Sequence, residues 1–427
     1  DDRAVGGALY IDGINATVQY SSFTENTANS RGGAVYWYGG HGGDSIIGCN
    51  FTRNNATSYN NALGGAVYWS AGLKQTPGGL VKDTIFDSNY AGKHGGGMDW
   101  YRSLDSVMTN CTFINNSALK DGGGFYIGDT NGKSTNMTLS DCKFINNTAG
   151  YAGGALSNQM SASHFINSTF VGNKAKFGGS IIMKDGVTKN NEIIGCTFID
   201  SVAVNDPTVE IQVRGKGGAI FARDNMITVD NSTFINCTAL DGGAIYWNGG
   251  MNYVNTNPDK LHGTNYLGKN GVVSNSKFID NNAVRGGAVY WQATDGTILN
   301  STFTGNNATD GGAVYWEGGV EYMDVQFNYP KTFVVHGENG KVYNSTFKEN
   351  TAQNGAAVYW TGTNGIIDGS KFIENEANKG GAVYWNNITQ TATYVTKTAV
   401  YNKTVSAGQN GLISNSVVFN NHAVGSD

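Results

Sequence analysis

Acidic side chains are the first candidates for chemistry in this chain. Glu321, Asp324 and Glu338 fall close together, and hydrolysis of a glycosidic bond needs two carboxyl groups facing one another across it. No basic or carboxylate mate can be placed opposite these three from the sequence. Asp121, Asp241 and Asp310 recur just before pairs of glycines. They carry the hard oxygens that Ca²⁺ takes, but aspartate is also a common turn residue, and the turn role is the stronger reading. The six histidines occupy unrelated positions. Of the five cysteines, Cys49, Cys111, Cys142 and Cys196 stand where serine stands elsewhere in a repeated phrase. They read as small core fillers. Cys111 and Cys142 fall in successive phrases, near enough in principle to bridge, and no zinc spacing is present. The residues therefore favour a protein that is not an enzyme and needs no cofactor, with Ca²⁺ the one ion the pattern admits.

The elements that carry these residues are written in a repeat. All eight tryptophans, from Trp37 to Trp385, close the phrase Gly-Gly-(Ala/Gly)-x-x-Trp, with Gly355-Ala356-Ala357 a degenerate version of it. Counting degenerate versions, thirteen such units start between Gly6 and Gly380. Each leads to a second phrase, Asn-Ser-Thr-Phe-x-x-Asn-x-Ala, clearest at Asn300 to Ala308, and the shortest period, Gly286 to Gly311, is 25 residues. A unit that short holds two or three strands and cannot bury a core alone, whereas stacked units share one. The phrases are rich in Val, Ile, Thr, Tyr, Phe and Trp and show no helical periodicity. A propeller blade needs 40 or more residues, so the expectation is an all-β, single-stranded parallel β-solenoid of about 13 coils.

Comparing units with one another assigns the faces. The Phe slot, including Phe278, Phe303, Phe347 and Phe372, is expected to be core. The slot two residues earlier is always Ser, Thr or Cys, hence on the same inward face. Lys277 and its equivalents between them face water. The residue after Ala in the glycine phrase is apolar and points in, which places the following Tyr outside; the Trp one residue further should point in at the strand's end, but Asn158 and Ala222 in that slot leave outward Trp rings as the alternative. The Asn three residues beyond Phe, with Ser201 and Cys237 as departures, is expected to form an amide ladder between rungs.

Three units break the period. Insertions at about 248–269, 317–340 and 386–409 alternate with short coils, giving a super-period of 69 residues, and re-enter through Asn-Gly at Gly271, Gly340 and Gly411. They read as β-hairpins leaving one side of the solenoid, with turns at Asn257–Lys260 and Asn328–Lys331. A fourth excursion spans about 202–216. All four prolines, Pro77, Pro207, Pro258 and Pro330, lie in such excursions, as a ladder that needs every N–H requires. Two surfaces are candidates for binding: the outward rings Tyr36, Tyr68, Tyr126, Tyr246, Tyr290, Tyr315, Tyr359 and Tyr384, the last five above all, and Tyr322, Phe327 and Tyr329 on the second hairpin. Flat amphipathic rings suit sugars and protein partners, although cross-rung stacking accounts for the first series more simply.

A net charge of −5 with 14% charged residues argues against a nucleic-acid surface. No apolar run is long enough to span a membrane. Sequons at Asn15, Asn136, Asn307, Asn387 and Asn402 point to an exported glycoprotein, while those at Asn231, Asn300 and Asn344 also fit turn residues. Residues 1–427 read as a single domain that begins and ends inside its repeat, a segment of a longer array.

The signatures Gly217-Gly218-Ala219-Ile220, Gly153-Gly154-Ala155-Leu156, Phe303 to Asn306 and Phe372 to Asn375 resemble those of the chlamydial polymorphic outer membrane proteins. They are closer still to the adhesin-like repeat proteins of methanogenic archaea. The resemblance implies a right-handed parallel β-helix at a cell surface, acting as an adhesin or stalk toward a host or neighbouring cell, through a glycan or protein. The alternative from a different class is a structural fibre subunit that self-associates end to end. A polysaccharide-active enzyme ranks third.

Overall fold

The computed structural model describes residues 4–39, 42–71, 77–128, 136–160, 162–183, 190–205, 215–223, 226–249, 251–253, 264–266, 268–323, 332–395 and 400–424. The described chain contains strands and turns and no helix. Its fold is a right-handed parallel β-helix of about thirteen rungs; the repeat predicts the parallel coils and their number, and the family resemblance implies their hand. The chain divides into two compact units, one formed by Asp1–Ala222 with Asn231–Leu240 and the other by Arg223–Asp230 with Asp241–Asp427.

Each coil of the first unit contributes one strand to each of three parallel sheets. The first sheet runs from Leu9–Asp12 to Ile220–Ala222, the second from Thr17–Gln19 to Glu192–Ile194, and the third from Ser22–Thr24 to Thr233–Ile235. A fourth set of two-residue strands, Thr27–Ala28 through Val202–Ala203, closes the coil and turns its Ala methyls inward (Ala56, Ala91, Ala118). The excursion placed at 202–216 thus starts later, because Val202 and Ala203 still pair with Lys174 and Ala175. Residues 206–214, with Pro207, lie outside the described residues.

In the second unit the first sheet runs from Ile245–Trp247 to Val383–Trp385, the second from Thr228–Asp230 to Leu412–Ser414, and the third from Lys277–Ile279 to Val417–Phe419. Along the core slots like pairs with like until the last coil, where Phe372 meets Val418. Phe278 lies in register with Phe303, Phe303 with Phe347, and Phe347 with Phe372, their ring centroids 4.6, 4.8 and 5.1 Å apart. All four are fully buried, as expected of core residues, while Lys277 and Lys371 are exposed. The Phe column follows the roughly 4.8 Å spacing of neighbouring strands. Stacking at that distance adds an offset-ring contribution to the area each ring removes from water.

Two adjacent glycines are required for two different reasons. Gly286 has φ +63°, a left-handed conformation, and a Cβ there would strike the carbonyl of Val289. Gly287 has ordinary φ, but its Cβ would overlap the carbonyl oxygen of Gly312 on the next rung. The first glycine turns the chain; the second lets successive coils close to strand spacing.

The Asn ladder forms. In the second unit Asn281 donates to Asn306 Oδ1 through its backbone N–H and its Nδ2, both at 3.0 Å. Asn306 does the same toward Asn350, at 3.0 and 2.9 Å, and its Nδ2 also reaches back to the Phe278 carbonyl at 3.1 Å. Every polar atom of a fully buried amide is therefore used. In the first unit the slot changes at Ser201, whose hydroxyl meets that of Ser180 at 2.8 Å, and at Cys237.

The sequon asparagines Asn231, Asn300 and Asn344 have φ of 46°, 49° and 49°. Asn tolerates the left-handed region, so the Asn-x-Ser/Thr phrase here spells a corner: a left-handed residue, a small inward residue, then an outward hydroxyl. All five cysteines are free and buried. Cys111 N–H lies 3.5 Å from Cys142 Sγ, so this pair packs rung on rung as thiols rather than bridging. Burial pushes the Cys196 and Cys237 thiols up to about 12, which leaves them without nucleophilic thiolate at neutral pH.

Candidate functional site

The Trp column points inward, which settles the direction the sequence left open. In the second unit Trp247, Trp291, Trp316 and Trp360 are fully buried, with centroids 4.3, 4.8 and 4.6 Å apart. Each indole closes the same short gap in its coil. Against it lies the glycine that opens the second-sheet strand: Gly271 under Trp247, Gly296 under Trp291, Gly340 under Trp316 and Gly365 under Trp360, each so close that a Cβ would overlap the ring. Where the coil carries an insertion the indole N–H is captured by the returning chain. Trp247 Nε1 donates to the Gly268 carbonyl at 3.0 Å, Trp316 to Gly337 at 3.1 Å and Trp385 to Gly408 at 2.9 Å. The Trp and Gly of each coil clasp the base of whatever is inserted between them.

What is inserted is a set of antiparallel hairpins. Met251–Tyr253 pairs with Thr264–Tyr266, Gly319–Met323 with Thr332–His336, and Ile388–Val395 with Val400–Ala407. The second and third touch: Gln390 Oε1 accepts the Val320 N–H at 2.8 Å. Tyr322 stands opposite Phe333 in the second hairpin. The expected turns at Asn257–Lys260 and Asn328–Lys331, and with them Phe327, Tyr329, Asp324, Pro258 and Pro330, lie outside the described residues. Glu321 pairs with Val334 in the hairpin ladder. Glu338 sits in the turn that follows, where its carbonyl accepts the Asp295 N–H at 2.9 Å.

The Tyr series needs correction. These residues do alternate with the inward Val and Trp, but their rings are not an open stripe. Tyr246 and Tyr290 retain 2% and 1% of their exposure, while Tyr315, Tyr359 and Tyr384 are half-buried. Consecutive centroids from Tyr246 to Tyr384 lie 4.8, 5.1, 4.8 and 5.2 Å apart. Ring faces are thus given to neighbouring rings rather than to solvent. Arg285 closes one edge: its guanidinium lies 4.9 Å from the Tyr290 centroid and forks onto Asp241 Oδ1 and Oδ2, both at 2.8 Å. Burial, reinforced by the nearby Glu317 carboxylate, pushes the Tyr290 phenol well above its ordinary value. The alternation of a strand shows which way a side chain leaves it, not what stands over that side chain.

The aspartates ahead of glycine pairs are likewise engaged along the stack. Asp241 holds Arg285, Asp310 Oδ1 accepts Asn354 Nδ2 at 2.8 Å, and Asp121 Oδ2 lies 3.7 Å from His94 Nδ1. Among the described residues no three His, Cys, Asp or Glu side chains come together as a metal site would require.

One open cavity joins the Tyr series to cations that sequence reasoning missed. In the first unit a cleft of about 730 Å³ is lined by Tyr10, Asn29, Arg31, Tyr36, Asn61 and Lys93 among others. Its floor is aromatic. Tyr10 and Tyr36 stack at 5.1 Å, and Arg31 lies over Tyr68 at 5.0 Å from the centroid. Tyr10 is 54% exposed. Tyr10 and Tyr36 belong to the recurring Tyr slot, but Asn29, Arg31, Asn61 and Lys93 come from slots whose occupants change, with Arg31 standing where the next coils carry Leu63, His94 and Asp121.

The family described as a right-handed beta helix region matches residues 6–198. Three solved structures are similar at low identity. An alginate lyase from Paenibacillus sp. str. FPU-7 is 13% identical, with a TM-score of 0.38 over 80% of this chain and 91% of its own. The mannuronan C-5 epimerase A-module of Azotobacter vinelandii is 12% identical, with a TM-score of 0.36 over 91% of each chain. A tailspike protein of Escherichia coli bacteriophage HK620, in complex with a hexasaccharide, is 13% identical, with a TM-score of 0.29 over 89% of this chain and 74% of its own. No curated protein matches the sequence.

Proposed function

We propose that this chain is an extracellular, surface-attached adhesin segment. Its β-helix serves as a rigid support that holds a set of hairpins toward a neighbouring cell, through a glycan or protein. The observation that carries the reading is the repeated clasp. Insertions after Trp247, Trp316 and Trp385 all leave at the same point of the coil, return to the same Trp–Gly contact, and form hairpins, two of which pack on each other through Gln390. Loops carried on a scaffold that tolerates them are where binding concentrates in other folds.

The test is deletion. Residues 317–340 are replaced by the five-residue connection that joins Trp291 to the following strand, Gln292–Gly296, and attachment to cells and to a glycan array is measured beside the intact chain. Retained folding with lost attachment supports the reading. Unchanged attachment overturns the hairpin role, salt-resistant filaments in the electron microscope favour the fibre, and polysaccharide turnover that is lost in Glu321→Gln favours an enzyme.

A further inference from the structure

The cleft in the first unit lies on a chain of net charge −5, yet the two ionised groups that line it are both cations, Arg31 and Lys93. Among the described residues neither has a carboxylate within salt-bridge distance. The acid that acts on both electrostatically is Asp99, which occupies the outward slot between Tyr68 and Tyr126. Asp99 is 1% exposed, and neither of its oxygens has a hydrogen-bond partner. Burial pushes its carboxyl well above the ordinary range, and it is not among the residues that line the cleft. Around the cations stand neutral donors and acceptors, Asn29, Asn61 and Ser58, and the half-exposed ring of Tyr10 stacked on Tyr36.

We infer that this cleft is a binding site for an anionic saccharide. Arg31 and Lys93 meet its carboxylate or sulfate, Tyr10 lies against a sugar face, and the Asn and Ser side chains meet hydroxyls. An aromatic platform binds the apolar face of a pyranose, amides and hydroxyls match its hydroxyls, and uncompensated cations select the acidic members of the class. A cleft of this volume is within the range of small-molecule sites, roughly 300–1,000 Å³, and admits a short oligosaccharide. The site shares no residue with the hairpins, so its test and theirs fail separately.

The test is titration calorimetry of the whole chain with three short oligosaccharides of equal length: a hexuronate, a sulfated hexose and a neutral hexose. Each is run at low and at high salt. Binding of either acidic probe, weakened by salt and absent for the neutral one, is expected, and the two acidic arms distinguish carboxylate from sulfate. Arg31→Gln and Lys93→Gln should each reduce affinity about tenfold or more, with Lys143→Gln, an exposed cation of the same unit, leaving it unchanged. Should Arg31→Gln unfold the chain, Lys93→Gln decides. Absent binding, equal binding of the neutral probe, or an equal loss in Lys143→Gln overturns the proposal.

Discussion

Gly340 lies directly against the indole of Trp316, so close that a Cβ at that position would overlap Cε2 and Cζ2 of the ring. The same contact recurs in each coil of the second unit, and it gives the Asn-Gly re-entry phrases their meaning. Asn339, Asn270 and Asn410 take left-handed φ of 56°, 57° and 56° to turn the chain, and the glycine then passes under the tryptophan. Gly340→Ala should therefore destabilise the chain by about 1–3 kcal/mol through overpacking, seen as a lower midpoint in denaturant. Gly13→Ala, at a position with nothing within 4 Å of a new Cβ, should be nearly neutral. Equal midpoints for the two variants would remove the clasp as a stabilising contact.

The amide ladder supplies a second measurement. Asn306→Ala removes three hydrogen bonds at once, those made with the Phe278 carbonyl, the Asn281 N–H and the Asn281 side-chain amide. Each buried unsatisfied group costs about 1–3 kcal/mol, so the loss should amount to roughly 2–5 kcal/mol with partial relaxation. Hydrogen exchange should show it as faster exchange at Asn281 than at distant rungs. Protection unaltered at Asn281 would mean the ladder is ornamental.

Phe303→Ala opens a cavity in a column packed at 4.6 and 4.8 Å and should cost about 3–5 kcal/mol. Lys277→Ala, on the adjoining strand with its side chain in solvent, should change stability by less than about 0.5 kcal/mol. Chemical denaturation of both variants compares the two faces of one strand pair.

Asp99 predicts a pH dependence of unusual sign. Its carboxyl is held well above its ordinary value of 3.8, first by desolvation, with Arg31 and Lys93 opposing. Between the ordinary value and the folded one, the unfolded chain has released a proton that the folded chain retains. The unfolded state then binds fewer protons, so this residue's contribution to stability falls as pH rises through that window and is least unfavourable below it. Asp99→Asn removes the titration. The variant should be more stable than the parent by about 1–3 kcal/mol at neutral pH, with the gap closing toward pH 3. A gap that stays constant with pH would show that Asp99 is ionised in the fold.

The repeat makes much of this fold legible in the sequence alone. Phe303 and its equivalents could be placed inside because the slot before them accepts Lys277, Lys371 or Thr302 while the slot before that accepts only Ser, Thr or Cys. One-sided tolerance of that kind is a direct readout of burial. The Asn ladder was legible because its occupant is so nearly invariant among coils. The burial of Tyr290 was not, since its outer cover comes from Arg285 and its stacked neighbours, and periodicity along a strand carries no information about a third layer. Nor was the Trp–Gly clasp, whose partners Trp247 and Gly271 are separated by an insertion. The cations of the cleft were invisible for a related reason: Arg31 and Lys93 join Asn61 and the Tyr10 ring only after four coils have been stacked, and they stand in positions where the repeat does not repeat.

In-register stacking also constrains how such a chain can change. Removing one or two residues within a rung would throw Phe, Asn, Trp and Gly out of their columns together. Excising the 69 residues from Gly311 to Lys379 would instead join Asp310 to Gly380, and every column would meet its own kind again across the junction. A change of length that keeps the columns aligned is therefore expected to come in whole cassettes rather than in single residues.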